Sequence, residues 1–248
     1  MKITFLGTNG WYDTLTGNTI CTLIETENEY VILDAGNGLY KIDKYICFEK
    51  PIYIFLSHFH LDHVIGLHIL GKFNFRQGIK IFGPKGIEKM FETLINKPFT
   101  SPYRGLRTPV EIRDIESGNN KKPYFMKKKL LMKHSDRCLG YRFELDNKIV
   151  AYCTDTGLCE NLYMLAENAD LLIAECSLRP GHIDNKWGHL SPQSAAGIAK
   201  KAKAKKMVLT HFDASAYKNK KDRKEAETIA NKKFPNTSAA IEDCVLRV

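Results

Sequence analysis

The feature that most constrains this 248-residue chain is an apolar run that ends in a cluster of side chains with metal-binding chemistry. Ile52-Tyr-Ile-Phe-Leu-Ser leads into His58-Phe-His60-Leu-Asp62-His63, followed by Val-Ile-Gly66. In extended chain alternate side chains share a side, so His58, His60 and Asp62 converge. His63 then opens a helix, where the chain changes direction and its ring reaches a second position. A lone histidine is usually a surface or satisfied core residue, but four such groups lie within six positions here. Imidazole nitrogen with carboxylate oxygen is a donor set that suits zinc, and no thiolate is needed.

Three more apolar runs end in the same way. Lys129-Leu-Leu-Met-Lys runs into His134, Ile149-Val-Ala-Tyr-Cys-Thr into Asp155, and Met207-Val-Leu-Thr into His211. Functional groups in open α/β sheets gather beyond the carboxyl ends of strands, so these distant residues are candidates to meet at one place.

The wider pattern alternates short strands with helices. Alternation and turn residues predict strands near 1–7, 20–26, 29–34, 51–56, 79–82, 129–133, 141–145, 148–153, 170–174, 206–210 and 245–248. Helices are expected at 63–70, 86–95, 158–167, 191–203 and 221–234, the fourth opened by a Ser191 cap and Pro192. Residues 97–122, rich in Pro, Gly and Asn, read as a long irregular excursion, in which Tyr103, Arg104 and Arg107 are candidates to approach a phosphate or a base. With no repeat and no low-complexity linker, 1–248 reads as a single α/β domain: two mixed β-sheets with helices outside, an αββα sandwich.

Composition narrows the class further. Hydrophobic content of 44% spread along the whole chain excludes disorder. No apolar stretch approaches the roughly 18 residues that cross a bilayer, and the start lacks the pattern of a secretory signal, so a cytoplasmic protein without a membrane partner is expected. The seven cysteines form no close pairs and read as reduced structural thiols. The net charge of +9 leaves nucleic acid open as a partner, although lysines spaced through amphipathic segments more often form a solvated face.

The His58-x-His60-x-Asp62-His63 signature resembles that of the metallo-β-lactamase superfamily, and the resemblance spans almost the whole chain. It implies a first zinc held by His58, His60 and His134, a second by Asp62, His63 and His211, and Asp155 bridging the two. It also implies support from Asp34 behind the site. Mn2+ or Fe2+ would suit the same donors. A pair of cations about 3.5–4 Å apart lowers the pKa of a trapped water toward neutrality and clamps substrate oxygens. The absence of an added helical domain after His211 and the histidine at position 60 set the chain apart from two look-alike branches, glyoxalase II and the diiron oxygen reductases.

Within the superfamily the resemblance is to the ribonuclease Z branch, through Phe5-Leu-Gly-Thr, Leu33-Asp-Ala-Gly, Ala174-Glu-Cys-Ser and Gly188-His-Leu-Ser-Pro-Gln-Ser-Ala-Ala. It implies that His189 donates a proton in phosphodiester cleavage and that Glu175 orients it; with Asp62 these are the candidate catalytic residues. One departure matters. The branch's tRNA-gripping arm, where it lies between the third histidine and the bridging aspartate, has no room here, because Tyr141-Arg-Phe-Glu-Leu, an Asp146-Asn147 turn and Lys148-Ile-Val-Ala-Tyr-Cys fill the interval with a hairpin. The expected function is therefore a dinuclear zinc phosphodiesterase acting on a small nucleotide-like or cyclic phosphodiester. The alternatives are tRNA 3′ processing and, lower, lactone or thioester hydrolysis, which would leave Glu175 and His189 without a role. Relatives of this kind are commonly homodimers.

Overall fold

The computed structural model describes residues 1–118, 122–184 and 186–248. Residues 119–121, part of the expected excursion, lie outside the described residues. The strands are β1 Lys2–Gly7, β2 Asn9–Gly10, β3 Cys21–Glu25, β4 Tyr30–Leu33, β5 Ile52–Phe55, β6 Ile79–Gly83, β7 Val110–Asp114, β8 Met126–Leu131, β9 Leu139–Leu145, β10 Lys148–Cys153, β11 Leu171–Glu175, β12 Met207–Thr210, β13 Phe212–Asp213, β14 Thr237–Ala239 and β15 Val245–Arg247. The α-helices are α1 Leu61–Val64, α2 Ile87–Leu94, α3 Glu160–Ala166, α4 Pro192–Lys201 and α5 Lys220–Asn231, with 3-10 turns at Asn37–Lys44 and Ile65–Lys72.

Two mixed sheets form the centre, in the orders β15-β1-β3-β4-β5-β6-β7 and β14-β12-β11-β10-β9-β8. Their inner faces share one apolar layer, in which Phe5, Val31, Leu33 and Phe55 of the first sheet belong with Tyr141, Phe143, Tyr152 and Ile173 of the second. A second layer includes apolar residues of the first sheet together with α2 and both 3-10 turns, and a third joins the second sheet to α3, α4 and α5. Strands covered on both faces explain runs such as Leu171–Glu175 that are buried at every position. The architecture is the expected αββα sandwich.

Local chemistry accounts for the boundaries. Asp146 and Asn147 both take left-handed φ, +48° and +59°, as a two-residue turn between right-twisted strands requires, and Leu145 pairs directly with Lys148. Asn219 caps α5 by accepting the amides of Lys221 and Asp222, while the Asp222 carboxylate takes the Asn219 amide in return.

Two expectations need correction. The helix expected at 63–70 starts earlier, at Leu61, and after Val64 tightens into a 3-10 turn where Gly66 meets the Ala35-Gly36 backbone. A Cβ on Gly66 would stand 2.1 Å from the Gly36 carbonyl oxygen, so no larger residue fits. The excursion over 97–122 is not wholly irregular, because it contains the edge strand β7, paired in parallel with β6. Tyr103 packs its buried ring edge-on to Phe91, and Arg104 lies over Tyr103 and near Glu92, so both sit beside α2.

Candidate metal centre

Each candidate residue stands just past a strand end, and the backbone there is unusual. Asp34, Asp155 and His211 follow β4, β10 and β12 in the left-handed region, with φ of +56°, +50° and +52°. Non-glycine residues in that region are uncommon and cost of order 1–3 kcal/mol each, which the surrounding fold must offset.

The side chains come together in overlapping groups whose ligand-type atoms lie within 4.8 Å of one another: His58, His60 and His134; Asp62, His63 and His211; His58, His63 and Asp155; and His134, Asp155 and His189. Asp155 thus belongs to sets on both sides. Its Oδ2 lies 3.1 Å from His63 Nε2 and 3.3 Å from His211 Nε2, and its Oδ1 lies 4.0 Å from His134 Nε2. His211 Nε2 is also 3.2 Å from Asp62 Oδ2 and 3.1 Å from His63 Nε2.

Outer hydrogen bonds aim these rings. The Asp34 carboxylate accepts from the Ser57 amide at 2.7 Å, the Ser57 hydroxyl at 2.9 Å, the Tyr152 hydroxyl at 2.6 Å and His63 Nδ1 at 2.8 Å. Because Ser57 Oγ donates to Asp34, it accepts from His58 Nδ1, 3.0 Å away. Ser177 Oγ does the same for His211: it donates to the His211 carbonyl at 2.9 Å and stands 3.0 Å from Nδ1. Fixing Nδ1 in this way turns each Nε2 toward the shared space. His60 is the most open of the set, with Asp136 at 3.0 Å.

Of these supports the resemblance implied Asp34, while Ser57, Tyr152 and Ser177 were missed. Ser57 and Ser177 each adjoin a singled-out residue or motif, and that adjacency was the available signal. The Trp11 amide, 2.8 Å from Asp62 Oδ2, and the backbone of Gly10, where a Cβ would come within 2.6 Å of the His211 ring, had none.

The donor set fits a pair of divalent cations. His58 Nε2 is buried with no hydrogen-bond partner among the described residues, a costly state that a cation relieves. The charges agree. Burial works to expel the proton from His63, but Asp34, Asp62 and Asp155 outweigh it and hold this imidazole well above its usual range; His211 is raised in the same way, chiefly by Asp155. Burial opposes ionisation of Asp62 and Asp155, yet neighbouring His63 and His211 hold both carboxyls well below theirs. His58, where burial dominates and His63 adds repulsion, is pushed well below its usual range and stays a neutral donor. Carboxylates that retain protons on adjacent imidazoles will exchange them for metal.

Next to this cluster Glu175 is fully buried, accepting from the Thr156 amide at 2.6 Å and from His189 Nδ1 at 3.0 Å. Burial disfavours a proton on His189, but the Glu175 charge and hydrogen bond overcome it and the group is pushed up to about 10. Gly188, with φ of +80°, brings the His189 loop so close to the Lys133 carbonyl that a Cβ would sit 2.1 Å from it.

A fold with a two-sheet core and a His/Asp centre at the strand ends defines a class, and the chain belongs to it: the family model for the beta-lactamase superfamily domain matches residues 30–212. It is a hydrolytic enzyme of that superfamily. A ribonuclease Z of Bacillus velezensis is 27% identical over 307 residues, covering 98% of this chain and 97% of the relative. The probable metallo-hydrolase YhfI of Bacillus subtilis is 26% identical over 242 residues, covering 93% and 94%. Among solved structures, the metallo-beta-lactamase fold protein YhfI from Bacillus subtilis superposes with a TM-score of 0.82 at 23% identity over 99% of this chain and 98% of that one. The short form of human tRNase Z superposes with a TM-score of 0.78 at 21% identity over 100% and 99%.

Proposed function

We propose that the chain is a metal-dependent phosphodiesterase that cuts a small nucleotide-like or cyclic phosphodiester, and that residues 1–248 work as one domain. In this reading His58, His60 and His134 hold one zinc, Asp62, His63 and His211 the other, and Asp155 both. When bound, the two ions supply Lewis-acid chemistry, activating water and neutralising phosphate charge.

The observation that carries a phosphodiester rather than a lactone or thioester is the Glu175–His189 pair. A sugar alkoxide is a poor leaving group and needs a proton, and His189 is set to hold one at neutral pH. Since Glu175 engages Nδ1, the proton leaves from Nε2 to the departing oxygen as the phosphorus–oxygen bond breaks and the water oxygen bonds to phosphorus. Asp62, oriented by the Trp11 amide, accepts a proton from the attacking water.

The small substrate is favoured by the hairpin of β9 and β10. The two strands are joined by Asp146 and Asn147 alone, so nothing protrudes there to grip a folded RNA. The alignment lengths agree with this. The 307 residues of the ribonuclease Z alignment exceed the 248 of this chain, so that relative carries several dozen residues without counterpart here, whereas the YhfI alignment spans 242. The second reading, tRNA 3′ processing, is favoured by the several relatives that bear the name ribonuclease Z.

The deciding experiment sets zinc-loaded protein against 2′,3′-cyclic nucleotides, bis(p-nitrophenyl) phosphate and a precursor tRNA. Turnover of the small diesters with no cut in the tRNA is the expected result. Efficient endonucleolytic cleavage of the precursor would replace the first reading with the second.

A further inference from the structure

Beside His189 the surface opens into a cavity of about 460 Å³, between the 157–158 turn, the 178–184 loop and the start of α4. Its lining is of two kinds. Leu158, Leu178 and Ile183 make an aliphatic wall, and two of these are exposed to an extent unusual for such side chains, Leu158 at 54% and Ile183 at 85%. Lys133, Lys233, Gln193 and His182 bring polar groups to the same space. Small-molecule sites combine an apolar lining with a few polar groups that fix orientation, and this volume falls in their range of roughly 300–1,000 Å³.

His189 belongs both to this lining and to the metal-ligand cluster. A proton donor must touch the oxygen that departs, so whatever that oxygen is attached to lies on the side of His189. The cavity is on that side. We propose that it seats the leaving half of the diester, and that this half is a single nucleoside; the proposal rests on His189 being the proton donor. A bare phosphate or sugar phosphate would leave three aliphatic side chains facing water. A purely apolar group would strip water from the ammonium groups of Lys133 and Lys233 and offer them nothing in return. A nucleoside answers both demands: its flat base packs on Leu158 and Ile183, its ring edges meet Gln193 and His182, and a further phosphate on its sugar meets Lys133 and Lys233.

The test is calorimetric titration of the zinc-loaded protein with adenosine, with ribose 5-phosphate as the probe lacking a base. Zinc content and hydrolysis of bis(p-nitrophenyl) phosphate are measured on the same preparations. Saturable adenosine binding is expected, weakened at least tenfold by Ile183→Asp or Leu158→Asp while zinc content is unchanged. Both positions are exposed, so either variant should fold, and far-ultraviolet circular dichroism checks that it does. Hydrolysis of the reporter without any heat from millimolar adenosine overturns the nucleoside assignment and leaves the phosphodiesterase reading intact. Adenosine binding unaffected by both variants, or matched by ribose 5-phosphate, also overturns it. Adenosine binding by a zinc-loaded protein that hydrolyses no diester keeps a nucleoside in the cavity but overturns its role as leaving group, and the functional reading falls with that role.

Discussion

Asp34 and His63 form a fully buried pair, the aspartate Oδ2 lying 2.8 Å from the imidazole Nδ1. The same carboxylate collects two donors from Ser57 and one from Tyr152, so a single charge fixes the orientation of a ring carried by α1. Asp34→Asn keeps the volume and removes the charge. Zinc affinity at the Asp62, His63 and His211 group should fall by about 10–100-fold, the usual effect of losing such a partner, as read by chelator competition.

The protons retained by His63 and His211 must leave when cations arrive. Both groups are raised above their usual range, so without metal their protonated forms are favoured, and acidification favours them further. Zinc binding at pH 7 should therefore release protons and weaken as pH falls. Calorimetry in two buffers of different ionisation enthalpy measures the release, and a value of zero would contradict the assigned donor set. Because metal binds the folded chain alone, chelation should also lower Tm.

His189→Ala removes the proposed donor and no proposed zinc donor. Zinc content should be retained, while kcat on a diester with an alkoxide leaving group falls by about 10²–10⁴. The activated nitrophenyl diester should lose much less. Equal losses on both substrates would sink the proton-transfer role.

Gly10→Ala probes a contact rather than a charge. The added Cβ would come within 2.6 Å of His211 Cε1, and β2 is tied to β13, which directly follows His211, so the backbone has little freedom to retreat. Displacement of this ring should cost the second zinc and spare the first. Mass spectrometry under native conditions should show about one zinc per chain in place of two.

Arg223 is a buried cation held by neutral groups. Its guanidinium donates to Thr8 Oγ1 at 2.6 Å, to Asn9 Oδ1 and to Thr16 Oγ1 at 3.0 Å, and it stacks 4.9 Å above the Phe212 ring. Arg223→Leu leaves the fully buried Thr8 and Asn9 acceptors unpaired. The expected cost is about 2 kcal/mol or more, a fall in Tm of roughly 5 °C or more by thermal denaturation.

Much of the site was legible because its chemistry is written at strand ends. The apolar run before His58 and those before His134, Asp155 and His211 each mark where a strand stops, and parallel strands in one core deliver their ends to one edge. The hairpin turn at Asp146-Asn147 was legible for a similar reason, since few residue pairs tolerate two left-handed positions. What escaped was edge structure and backbone contact. Strand β7 alternates Val110 and Ile112 with Glu111 and Arg113 after a Pro-rich stretch, so its half-covered face reads as loop. The amide of Trp11 acts through a main-chain atom, which carries no residue-specific signal, and Gly10 is one glycine among 17.

The left-handed backbone at Asp34, Asp155 and His211 narrows what drift or design can put there. Glycine enters that conformation freely and aspartate and asparagine at lower cost than most side chains, whereas glutamate meets a larger penalty even though its longer arm would reach the same ion. A lineage that abandons catalysis should therefore show asparagine or glycine at 34 and 155 while the strands around them persist. Attempts to retune the metal by lengthening those carboxylates should spend folding stability first.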